Sequence, residues 1–253
     1  MITLVRGIGR LFTAGEAGAL TDAALTIDGE LVSWVGPDAE VDPSLVPDDE
    51  VDLDGALVTP GLIDSHTHPL YGGERFAEIA LRSAGASYSE IAASGGGIAS
   101  TVAATREASP DELGAALDRR LAAWLAGGAT TIEAKTGYHL FPEGEIEAVR
   151  LLAARSAGGR GGPAVEVTYL GGHGVGPEWA GDADGYSDEV ARSSAAAREA
   201  GARHADVFCD EGYFTIEQGR RMLSAAITAG LIARIHADDQ RIELLRRRPS
   251  VEA

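Results

Sequence analysis

The chain has 253 residues, with 21 basic and 39 acidic side chains (formal charge −18), 45% hydrophobic residues and one cysteine, Cys209. That apolar content builds a core and sets aside global disorder, a lone cysteine closes no intramolecular disulfide, and no segment approaches the roughly 18 apolar residues of a membrane span. A field of that sign repels phosphate backbones, so neither nucleic acid nor membrane is an expected partner, and without a signal-peptide pattern the expected compartment is the cytoplasm.

The first 58 residues read as β structure. Ala24–Ile27 and Leu31–Val35 flank Asp28-Gly29, a hairpin signal of the type I′ kind, and a second Asp-Gly at 54–55 precedes Ala56–Val58. After Pro60-Gly61 the pattern becomes strands alternating with helices. Ser109-Pro110-Asp111-Glu112 is a capping box that opens a helix with Leu113, Leu117, Leu121, Trp124 and Leu125 on one face, ending at Gly127-Gly128. The strand Ala129–Glu133 follows, then a helix over roughly 143–157 and the strand Val165–Leu170. Thr215 with Gln218 caps a further helix running to Gly230, which leads into the strand Leu231–Ile235. Strands separated by helices with glycine stops predict a parallel sheet with crossover connections.

Asp64-Ser-His66-Thr-His68 is the sharpest chemical feature. Residues i and i+2 of a strand share a face, so both imidazoles project together, and two neutral imidazoles suit zinc or iron. His173, within a glycine cluster, and His236 also follow predicted strands, which puts three strand ends on the carboxyl rim where α/β sites lie. His139 and His204 read as solvated, and Cys209 as a small buried hydrophobe. Lys135, the only lysine, follows the second sheet strand rather than the fourth, so no lysine stands where it could bridge two metals.

Pro60-Gly-Leu-Ile-Asp-Ser-His-Thr-His68 resembles the opening motif of the metal-dependent amidohydrolases. A longer series, in order, is similar to imidazolonepropionase: Gly72-Gly-Glu-Arg75, Gly85-Ala-Ser-Tyr88, Ser94–Thr101, Glu133-Ala-Lys-Thr-Gly-Tyr138, Tyr169-Leu-Gly-Gly-His173, Asp206–Gly212 and Ile235-His-Ala-Asp238. The resemblance implies an α/β fold, an amidohydrolase-type TIM barrel preceded by a small β-sandwich portion. It implies water-driven opening of the ring of 4-imidazolone-5-propanoate to N-formimidoyl-L-glutamate, in histidine degradation. His66, His68 and His236 would ligate one divalent metal, zinc or iron; Arg75, Tyr88, Tyr138, His173 and Asp239 would meet the substrate, with His173 and Asp239 catalytic. Asp239 stands where relatives carry Glu or Gln, one methylene longer, and His139 where they usually carry glycine. A second copy of the chain is the expected macromolecular partner.

The expected segments are 1–58 as the β-sandwich portion, 59–240 as a partial barrel and 241–253 as a basic tail. His66 to His236 spans 170 residues for four βα units, and only 17 residues follow, so about five of eight barrel strands are expected. The resemblance stops near Gln240, before a strand-6 histidine and a strand-8 aspartate, which reads as a truncation or a shifted frame. The alternatives are a catalytically inactive fragment, or another amidohydrolase acting on a cyclic amide or amidine.

Overall fold

Alternating apolar and polar residues make four strands in the first unit, Met1–Gly61: β1 (Ile2–Phe12), β2 (Ala19–Asp28), β3 (Leu31–Pro37) and β4 (Asp49–Val58). They form one mixed sheet of order β3-β2-β1-β4, in which β1 pairs antiparallel with β2 and parallel with β4. The sandwich portion is thus a single layer among the described residues, with Ile8, Leu11 and Ala23 buried at its centre. The hairpin differs from expectation in turn type. Asp28 pairs with Leu31, so Gly29 and Glu30 form the turn, and of these Gly29 alone takes positive φ (+62°), as a type II′ turn requires.

The computed structural model describes residues 1–16, 18–87, 90–91, 95–156, 161–210 and 212–237. In the second unit, from Leu62 onward, β5 (Leu62–Thr67), β6 (Ala129–Lys135), β7 (Ala164–Gly172) and β8 (His204–Cys209) pair in parallel in chain order. The fifth strand is interrupted: β9 (Ile232–Ala233) and β10 (His236–Ala237) both pair with β8, separated by Arg234 and Ile235. The five-strand partial barrel expected from the landmarks is present, but the run Leu231–Ile235 is not one continuous strand.

Crossover helices cover one face of this sheet. After α1 (Phe76–Ser83) and α2 (Ile98–Glu107) come α3 (Pro110–Ala126), α4 (Pro142–Ala153), α5 (Ala183–Arg192), α6 (Ser194–Ala200) and α7 (Ile216–Thr228). Leu113, Leu117 and Leu121 of α3 are buried, while Leu125 lies outside the stripe and is exposed. The odd-numbered residues Val165, Val167, Ala205 and Val207 join the helix-facing core with Ile132 and Ala134. The alternate positions, Glu133, Lys135, Thr168, His204 and Asp206, project to the other face and are buried there too. Both predicted capping boxes form, Ser109–Glu112 on α3 and Thr215–Gln218 on α7. Replacing Ser109 by alanine is expected to lower stability by about 1 kcal/mol, read as a smaller urea midpoint; an unchanged midpoint would remove the cap from the account.

Candidate active site

His66 and His236 stand on the two outer strands of the five-strand sheet, yet their Nε2 atoms lie 3.1 Å apart, with ring centroids 4.5 Å apart. The sheet therefore curls until its ends face each other at the carboxyl rim. Two imidazole nitrogens this close need a proton or a cation between them. The end of β5 is fixed from behind: Trp124 donates to Asp64 Oδ2 at 3.0 Å, and Asp64 Oδ1 accepts the His66 backbone N–H at 3.3 Å.

His68 and His173 form a second pair, stacked at 4.8 Å between centroids and 19° between planes. Each is oriented by a backbone carbonyl of the segment after β6. His68 Nδ1 lies 3.2 Å from Thr136 O and His173 Nδ1 lies 2.8 Å from Gly137 O. A carbonyl only accepts, so each Nδ1 carries the proton and each Nε2 keeps a lone pair. Burial, then the proximity of His173, pushes His68 down to about 3, and burial likewise lowers His173. Both shifts favour the neutral ring, the form in which imidazole ligates or accepts a proton. Tyr138 lies against both, with centroids 5.3 Å from His68 and 5.4 Å from His173.

Tyr138 also lines a cavity of about 310 Å³ with Arg75, Tyr71, Glu74 and Thr101, so Arg75 and Tyr138 share one pocket. Arg75 Nη1 lies 3.8 Å from the buried Glu78 carboxylate. Tyr71 was not singled out in the sequence. Arg120 holds it by lying 3.4 Å from its ring centroid and donating to the Pro69 and Tyr71 carbonyls. Tyr88 and Asp239, the other candidate substrate contacts, lie outside the described residues, as does Asp238.

The inner face of the sheet holds a charged cluster that sequence reasoning missed. Lys135 Nζ lies 2.7 Å from Glu133 Oε1 and 2.8 Å from Asp206 Oδ2, and Arg234 pairs with Glu133. Asp206 Oδ2 also comes within 2.7 Å of His236 Nδ1, a close polar contact off the line of a hydrogen bond. Burial pushes the Asp206 carboxyl up, but His236 and Lys135 outweigh it and hold it below the usual carboxylate range. These groups line a cavity of about 520 Å³ that reaches His66 and His236. The signal was the period-2 pattern His204-Ala-Asp206-Val-Phe208, which puts an aspartate on an inward strand face.

His139 and His204 are not solvated as their contexts suggested: His204 is buried in β8 and His139 is partly buried. Burial lowers both, with Arg234 reinforcing it at His204 and Arg106 at His139. Below the unfolded value of about 6.5 the unfolded chain then binds more protons, so these groups stabilise the fold above that pH and lose the contribution as pH falls. The urea midpoint is expected to be lower at pH 5.5 than at pH 7.5, with a shallower dependence in His204→Gln. A midpoint that rises toward acid would contradict this.

Among the described residues no group of three or more His, Cys, Asp or Glu side chains forms a metal-ligand cluster. The donor chemistry nevertheless fits a divalent ion, because His66 and His236 present facing nitrogens and the unprotonated Nε2 of His68 belongs to the same rim. Cys209 is buried at the end of β8, as its apolar surroundings suggested.

No family model matches the chain. Curated relatives named imidazolonepropionase do: that of Pseudomonas aeruginosa strain UCBPP-PA14 is 44% identical over 229 residues, covering 88% of this chain and 56% of its own length. The Rhizorhabdus wittichii protein is 44% identical (87% and 55% covered), and the Micrococcus luteus protein 42% (93% and 56%). The chain thus spans a little more than half the length of these relatives. Among solved structures it is similar to a 5-methylcytosine deaminase from Klebsiella pneumoniae (TM-score 0.66, 13% identity, 96% of this chain and 54% of that one). It is also similar to a Xaa-Pro dipeptidase (0.64, 18%, 94% and 57%) and to an adenosine deaminase from Xanthomonas campestris with bound zinc (0.56, 15%, 95% and 51%). Over that span the chain is similar to the imidazolonepropionases, and it has a partial α/β barrel fold similar to that of these solved structures.

Proposed function

We propose that the chain is a metal-dependent hydrolase of the imidazolonepropionase type, opening the ring of 4-imidazolone-5-propanoate with water to give N-formimidoyl-L-glutamate. Histidine degradation in the cytoplasm, as a homodimer, is the setting we assign to it. The observation that carries the reading is the approach of His66 and His236 from opposite ends of the sheet, 3.1 Å apart, on a rim where Tyr138, which lines a pocket with Arg75, lies against His68 and His173. His66, His68 and His236 would hold the metal. Zinc or iron held there would supply a water acidified toward neutrality and a Lewis acid for the ring carbonyl.

The chain's own residues do the rest. Arg75 presents a planar guanidinium that grips the propionate in two hydrogen bonds, with Glu78 steadying it from the other side. Tyr138 closes the pocket between that carboxylate site and the histidines and offers its hydroxyl to the ring. His173 Nε2, unprotonated because Nδ1 faces Gly137 O, accepts a ring N–H or takes a proton from water. Asp239 would orient the attacking water and Tyr88 would contact the substrate.

Purified chain reconstituted with zinc or iron(II) and mixed with imidazolone propionate is expected to yield formimidoylglutamate, and Arg75→Met to raise KM far more than it lowers kcat. A second reading is that the chain is a catalytically inactive fragment that binds metal without turnover. Metal uptake with no product would establish it and sink the first.

A further inference from the structure

The segment between β6 and α4 is held by one carboxylate. Glu145, in the first turns of α4, is 0% exposed, and its two oxygens accept three backbone N–H bonds: Gly137 to Oε2 at 2.6 Å, and His139 and Leu140 to Oε1 at 2.8 Å each. From the opposite side Arg106 donates to His139 O at 2.6 Å and Leu140 O at 3.3 Å. Leu140 is held at φ +53°, a conformation that L-residues other than glycine and asparagine rarely adopt without such support.

The connection to the site runs through single peptide units. The Thr136–Gly137 peptide gives its N–H to Glu145 and its C=O to His68 Nδ1; the next peptide gives its C=O to His173 Nδ1. We propose that Glu145 is a positioning residue for this pair of imidazoles: by fixing the plane of the Thr136–Gly137 peptide it sets the tautomer and aim of His68 and His173. The inference rests on the reading of His68 and His173 given above, and deepens it. A carboxylate, peptide and imidazole in series also polarise one another, which raises the electron density at the far ring nitrogen.

Glutamine at 145 discriminates between this role and a general structural one. Its carbonyl oxygen can replace Oε1 for His139 and Leu140, but its NH₂ then faces the Gly137 N–H, donor against donor. The end of the segment that touches the imidazoles is released while the other end stays tied. In the full chain at pH 8, ¹⁵N spectra of the wild type are expected to show His68 and His173 each as a pure Nδ1–H tautomer. In Glu145→Gln both are expected to become tautomer mixtures, with His204 unchanged. Wild-type tautomers retained at both rings in a folded Glu145→Gln would overturn the proposal. Should that variant fail to fold, amide exchange in the wild type decides: Gly137, His139 and Leu140 are expected to exchange about 100-fold slower than free loop amides, and unprotected exchange would overturn it. Neither readout depends on turnover, so failure of the proposed reaction and failure of this positioning are distinguishable.

Discussion

Lys135→Met is expected to destabilise the chain by about 3–5 kcal/mol, enough to leave much of it unfolded at 37 °C. Lys135 is 3% exposed and sits between Glu133 and Asp206, 5% and 2% exposed. Removing it leaves two buried carboxylates with Arg234 on one and His236 on the other, and no cation between them. The cost comes from stranding the partners rather than from a large net value of the pairs. Lys135→Met combined with Asp206→Asn is therefore expected to recover part of the loss, since the stranded charge goes with it. Thermal melts of the single and double variants check this; strictly additive losses would contradict it.

Gly137→Ala is expected to cost about 2–4 kcal/mol and to displace His173. Gly137 sits at φ +115°, which side chains rarely tolerate, and a Cβ there would lie 2.7 Å from His173 Nδ1 and 2.9 Å from His173 Cβ. Both atoms belong to His173, whose ring cannot shift without losing its bond to Gly137 O. A large fall in melting temperature together with altered His173 ring signals would meet the expectation. A variant as stable as wild type, with His173 unmoved, would show that the loop has slack there.

The strand landmarks and helix caps were legible because their signals are local. Ser109 with Glu112, Thr215 with Gln218, and glycine at helix ends act within one turn of chain. The His66 and His236 imidazoles were legible as strand-end residues, and the resemblance put them on one metal; composition and periodicity alone did not bring them together, because that depends on how far a five-strand sheet curls. The hairpin was legible, while its turn type hinged on which pair of residues the register places at the centre. Lys135 was visible as the only lysine, and Glu133 and Asp206 as parts of motifs, but their joining in one buried cluster was not, because it depends on three strands lying side by side. Glu145 was hidden for a similar reason: a glutamate in the first turns of a helix reads as dipole compensation, and only the fold shows three amides converging on it.

We hold that the curled sheet makes one metal seat from its two ends. Calorimetric titration of chelator-treated chain with Zn²⁺ tests it most directly, in wild type, His66→Ala and His236→Ala, with folding of each checked by circular dichroism. One equivalent is expected to bind the wild type, and each variant to lose more affinity than the roughly 100-fold that removal of an outer hydrogen-bond partner can cost. A wild-type chain that takes up no divalent metal, or variants that bind it as tightly as wild type, would contradict it.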